Sequence, residues 1–149
     1  MQTVTVRRVI AAPIAEVFDW CATSAHYTAS RYVLRARLAR PGAGAPYGVG
    51  AVRLHTWLIG WYRERITAYH RPHGFDYAVD RCVPPARHGL GRMAFEERAD
   101  GTLVTWTTTF QARLPFGATL SRVAAPAVAR VFTGILDRAD AALAPGRRS

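Results

Sequence analysis

GATLSRVAAPAVARVFTGILDRADAAL, residues Gly117 to Leu143, decides how the rest of the chain must fold. Leu120, Val123, Ala124, Ala127, Val128, Val131, Phe132, Ile135, Leu136, Ala139 and Leu143 recur at steps of three and four, with Ser121, Arg122, Arg130, Thr133, Asp137 and Asp140 between them. This is the period of one long amphipathic helix. Pro126 lies inside it, removes a backbone donor, and is expected to kink the helix or divide it in two.

Upstream of this segment nearly everything alternates with a period of two. Thr3 to Ile10 is a first strand, with Val4, Val6 and Arg8 on one face. Ala11-Ala12-Pro13 ends it and opens a short helix with Ile14, Val17, Phe18 and Cys21 as its buried stripe, followed by a second short helix to about Ala29. Further strands are expected over residues 31–40, 49–58, 61–70, 75–83, 89–98 and 102–113. The breaks fall at Pro41 to Pro46, Ile59-Gly60, Pro72-His73-Gly74, Pro84-Pro85 and Asp100-Gly101. Hairpin-length connections from the third strand onward imply antiparallel neighbours. Twisted strands curl, and the one long helix has to close their concave face. The fold expected is therefore α+β: a curved antiparallel sheet of six or seven strands gripping a long C-terminal helix, with two short helices after strand 1, in a single domain over residues 1–149.

Composition narrows the function classes. Half of the 149 residues are apolar, which argues against disorder. No apolar run reaches the roughly 18–20 residues of a membrane span, and MQTVTVRRVI lacks signal-peptide order, so a cytoplasmic location and free thiols at Cys21 and Cys82 are expected. The net charge of +10 comes entirely from arginine, since the chain has no lysine. The arginines are scattered, with Arg7–Arg8 and Arg147–Arg148 the only adjacent pairs, and no nucleic-acid-binding motif accompanies them. A solvated basic surface is the expectation, with no nucleic-acid partner.

The strand faces give a candidate cavity lining. Inward apolar residues are expected to be Tyr32, Leu34, Val52, Leu54, Ile66, Phe75, Val79, Val104, Trp106 and Phe110, closed by Val128, Val131, Phe132 and Ile135 of the long helix. Those side chains either surround a small hydrophobic ligand or meet as a dry core. Tyr62, Glu64, Tyr77, Arg81 and Thr108 share the inward set. Glu64 and Arg81, on neighbouring strands, are the candidate catalytic residues, a base and a cation for proton abstraction and enolate stabilisation with the tyrosines as donors. The alternative is a structural Glu–Arg pair at the rim. Everything here depends on register, because a one-residue slip turns each side chain over. His55 is expected on the surface and enters the cavity beside Arg53 only if its strand is reversed. His26, His70, His73 and His88 fall in loops or at strand ends without metal-ligand spacing. No metal is expected. No nucleophile elbow, phosphate loop or dinucleotide pattern is present, so no cofactor is expected either. Trp57 and Trp61 form the candidate patch for a homodimer.

Three segments resemble a known family. VTVRRVIAAPIAEVFDW (residues 4–20) looks like the opening of the START/Bet v 1-like superfamily, also called SRPBCC. FEERADGTLVTWTTTF (Phe95 to Phe110) is similar to its penultimate hairpin, and RERI (Arg63 to Ile66) to its central strand. The resemblance spans nearly the whole chain and implies a helix-grip fold with a deep cavity between sheet and C-terminal helix. It implies lipid-, sterol- or polyketide-like ligands, or polyketide cyclase, aromatase or dehydratase chemistry. A protein-interaction module with a vestigial cavity is the remaining option. The superfamily shares no catalytic motif, so the resemblance assigns no catalytic residue.

Overall fold

The computed structural model describes residues 1–145, which leaves the Arg147–Arg148 pair outside the described residues. Strand β1 (Gln2–Ile10) leads into helix α1 (Ile14–Ala22) and a 3-10 helix (Ser24–Ala29). Six strands follow: β2 (Val33–Arg40), β3 (Val52–Trp57), β4 (Gly60–His70), β5 (Gly74–Val83), β6 (Ala86–Arg98) and β7 (Gly101–Ala112). Helix α2 (Gly117–Leu143) completes the grip. The seven strands form one antiparallel sheet in the order β1-β7-β6-β5-β4-β3-β2. α2 runs unbroken through Pro126, so the proline does not divide it.

Periodicity explains why the helix lies where it does. Val131, Phe132, Ile135, Leu136 and Ala139 are buried in the C-terminal half of α2, where the apolar stripe is widest. They pack with Val17, Phe18, Ile10 and Val104 in the main core. Arg8, on the inner face of β1, ties the strand to Asp137 and Asp140 of α2, with Arg8 Nη2 donating to Asp140 Oδ2 at 2.9 Å. The N-terminal half of α2 offers small side chains instead, and there the helix stands off the sheet.

Two bulges and the facing of β3 set which residues point inward. Leu34 is an extra residue in β2, between Val33 paired with Trp57 and Arg35 paired with Thr56. The bulge expels it, and Leu34 is 63% exposed rather than inward. In β5 the pairing steps from Arg63 with Arg81 to Glu64 with Val79, so Asp80 is the extra residue. The face therefore flips after Val79: Cys82 turns inward and Arg81 turns out to solvent. Strand β3 carries the opposite face from the one expected. Arg53, His55 and Trp57 are buried at 1%, 1% and 7% exposure. Val52, Leu54 and Thr56 lie on the outer face, where Leu54 pairs with exposed Arg63. Both faces of β3 carry bulky side chains, so alternation alone does not choose between them. Trp57 is consequently an interior residue, and the patch of Trp57 and Trp61 does not form on the surface.

Candidate functional site

β5 and β6 pair only from Gly74–Tyr77 against Gly91–Ala94. Beyond Tyr77 the two strands separate, and β6 shifts its register on β7 between His88 and Gly91. A cavity of about 460 Å³ opens beside this split, under the N-terminal half of α2. Its volume lies within the range of small-molecule sites. Tyr62 and Glu64 come from β4, Tyr77, Val79 and Cys82 from β5, and His88 from β6; Thr108 and Phe110 come from β7. From α2 come Leu120, Ser121, Ala124, Ala127, Val128 and Phe132. Leu114, Leu120, Pro84 and Pro85 line the cavity and are also exposed, so the mouth lies between the β5–β6 turn and the start of α2. Phe132 stacks flat on Trp106, with ring centroids 3.9 Å apart and planes 6° from parallel, and divides the cavity from the dry core.

The expected lining thus separates into two groups. Tyr62, Tyr77, Val79, Thr108, Phe110, Val128 and Phe132 do line the cavity, as does Glu64. Ile66, Phe75, Val104, Trp106, Val131 and Ile135 belong to the dry core beyond it, each 2% exposed or less. Tyr32 packs at the edge of the core against Gly134 of α2, where an added Cβ would come within 2.7 Å of the Tyr32 ring. Leu34 and Arg81 are outside, and Leu54 faces away from the cavity. Sequence reading missed Trp57, Cys82 and His88, together with the rim from Pro84 to Ala86.

Glu64 is buried, but its partner is Arg53 and not Arg81. Glu64 Oε1 accepts from Arg53 Nη2 at 2.7 Å, from Arg53 Nε at 3.2 Å, and lies 2.8 Å from His55 Nε2. Arg53 in turn is enclosed by the rings of Tyr27, Phe75 and Tyr77 at 5.8, 5.5 and 5.7 Å. These rings stabilise the guanidinium through their faces and keep water from it. Burial pushes the Glu64 carboxyl up, but His55, Arg53 and their hydrogen bonds outweigh it and hold the group down at about 2. Glu64 is therefore a carboxylate at neutral pH.

A second polar group sits across the cavity. The backbone N–H of Val79 donates to His88 Nδ1 at 3.3 Å, and His88 Nε2 lies 2.8 Å from Thr108 Oγ1. With Nδ1 accepting, the proton sits on Nε2 and donates to the threonine. Burial lowers the His88 pKa against the opposing pull of Glu64, which keeps the ring neutral. The imidazole thereby bridges the two strands where their backbone ladder fails. Tyr77 stacks on His88 at 5.6 Å and accepts from Trp106 Nε1 at 2.8 Å. Burial raises the pKa of Tyr77 and Tyr62, so both keep their protons and are available as donors.

Residues 1–144 match the family described as "Polyketide cyclase / dehydrase and lipid transport". The chain belongs to this family. The membership covers the opening strand and short helix, the β6–β7 hairpin and the gripping helix alike, and it places the chain in the SRPBCC superfamily. Solved structures share the fold. A protein from Thermus thermophilus aligns with a TM-score of 0.75 at 16% identity, over 95% of this chain and 99% of that one. Ginseng major latex-like protein 151 from Panax ginseng aligns at 0.72 and 13% identity, over 97% and 98%. The di-domain aromatase/cyclase StfQ of the steffimycin biosynthetic pathway aligns at 0.62 and 18% identity, over 96% of this chain and 44% of that one. No curated protein sequence matches significantly. Family and fold together point to hydrophobic ligand binding or a polyketide cyclase-like role.

Proposed function

We propose that this protein binds a small hydrophobic molecule, of lipid-, sterol- or polyketide-like character, in the cavity between the sheet and α2. One observation carries the reading: an open cavity of about 460 Å³ whose wall is apolar or aromatic almost throughout. A dry core would not leave such a space unfilled, because interiors pack to near-crystalline density. Placing Ala124 and Ala127 where the helix passes over the cavity keeps that volume open.

The cyclase reading asks Glu64 to take a proton with Arg81 stabilising the enolate. Arg81 faces solvent, and a carboxyl held at about 2 is a weak base at neutral pH. Both points favour binding over acid–base catalysis by this pair.

N-phenyl-1-naphthylamine, a neutral fluorescent probe, tests the reading directly. It should bind with one-to-one stoichiometry, and Ala127→Phe, which fills the cavity from an exposed helix position, should weaken it at least about tenfold. No binding, or binding indifferent to Ala127→Phe, would overturn it. Native mass spectrometry of the protein from its natural source should then show the retained ligand itself.

A further inference from the structure

The chain carries twenty arginines, and none among the described residues lines the cavity. Among the described residues the one ionised group in the wall is Glu64. Its Oε1 is saturated by Arg53 and His55, whereas Oε2 accepts no hydrogen bond among the described residues. Glu64 nonetheless lines the cavity while Oε1 is held by Arg53 and His55, which leaves Oε2 as the oxygen free to accept from a ligand. A carboxylate accepts about four hydrogen bonds when fully used. Arg53 stands behind the carboxylate, outside the cavity wall and fixed among three rings, so a ligand meets the anion before the cation. The other polar side chains of the wall among the described residues are neutral: the Tyr62 and Tyr77 hydroxyls, the His88–Thr108 pair and Ser121.

From this arrangement we infer that the cavity selects neutral ring molecules bearing a hydroxyl or N–H donor, which Glu64 Oε2 accepts, and discriminates against carboxylates. The inference rests on the binding reading above and names its ligand class. A donor on the ligand completes the hydrogen bonding of a buried anion, and such charge-assisted bonds are the strong ones. A ligand carboxylate at the same place would set two anions side by side with no cation between them, and one of them would have to take up a proton. Fatty acids and other carboxylate-headed lipids are thereby disfavoured, while phenols, sterol-like alcohols and polyketide-derived hydroxyarenes fit.

Pyrene, 1-hydroxypyrene and pyrene-1-carboxylate share one apolar skeleton and test the rule at pH 7 by quenching of tryptophan fluorescence. The expected order is 1-hydroxypyrene about tenfold tighter than pyrene, and pyrene-1-carboxylate at least about tenfold weaker than pyrene. Equal affinity for all three, or a preference for the carboxylate, overturns the donor rule and leaves hydrophobic binding standing. Failure of all three to bind removes both readings. Glu64→Gln should erase the penalty on the carboxylate, with circular dichroism confirming that it folds. Should that variant not fold, the order of affinities in the unmodified protein decides alone.

Discussion

Arg53 is 1% exposed yet stays charged, because Glu64 takes two of its donors and three aromatic faces surround the rest. Truncating one member of such a pair leaves the other charge buried and uncompensated, which costs about 3–5 kcal/mol. Arg53→Met should therefore lower the urea midpoint severely. Arg53→Met combined with Glu64→Gln should cost clearly less than the two single changes added together, because neither charge is then stranded. Strict additivity in a double-mutant cycle would mean that the pair does not act as a unit. Glu64 is legible from the sequence as an inward acid, and a buried acid demands a partner. The partner is not legible, because Asp80 is one extra residue in β5 and that single residue carries Arg81 to the outside. Nothing in the composition of Tyr77 to Cys82 marks the bulge. The partners on the neighbouring strand β3, Arg53 and His55, sit on the face that alternation assigns to solvent.

Strands β5 and β6 show how an element can be right in outline and still hide its function. Gly91 lies where Tyr77 crosses between the strands, and a Cβ there would come within 2.3 Å of the Tyr77 ring. Gly91→Ala should push the ring toward the cavity, cost about 1–3 kcal/mol, and weaken binding of N-phenyl-1-naphthylamine. Thermal melts and probe titrations check the two effects separately, and a variant as stable as the parent would show that the ring has room to give. Helix α2 gives a prediction of opposite sign. Pro126 is exposed in the middle of the helix and supplies no backbone donor. Pro126→Ala should stabilise the protein by about 1–3 kcal/mol in urea denaturation. If stability falls instead, the proline is accommodating a local distortion on which the packing of α2 depends. The helix, its length and its buried stripe can be read from spacing alone. The small residues Ala124 and Ala127 mark the half that borders a space, but where that space ends is hidden, because Val128 and Val131 look alike in a list of apolar residues, and only the separation of β5 from β6 tells them apart.

At the scale of the whole molecule, strand order and helix placement follow from short connections and the amphipathic period, so the grip is legible in sequence. The cavity is not, because it arises from a failure of pairing between two strands that each look regular. His88 marks that failure: it replaces the missing ladder by joining Val79 N–H to Thr108. This makes the fold sensitive to acid in a definite order. His88 has a lower pKa folded than its ordinary 6.5, and Glu64 a lower one than its ordinary 4.5. In both cases the unfolded chain binds protons more readily than the folded one, so stability falls as pH falls. The His88 contribution starts to be lost below about pH 6.5, when the unfolded ring protonates while the folded ring stays neutral. The Glu64 contribution is present above about pH 4.5 and disappears as pH falls toward 2. Protonating carboxylates on a chain already at +10 adds self-repulsion in the same direction. Urea midpoints measured from pH 8 to pH 3 should therefore decline in two stages. His88→Gln, whose amide can still accept from Val79 and donate to Thr108, should flatten the upper stage and leave the lower one intact. A midpoint that rises between pH 7 and pH 5, or an upper stage that survives in His88→Gln, would show that the histidine does not hold the split strands together in its neutral form.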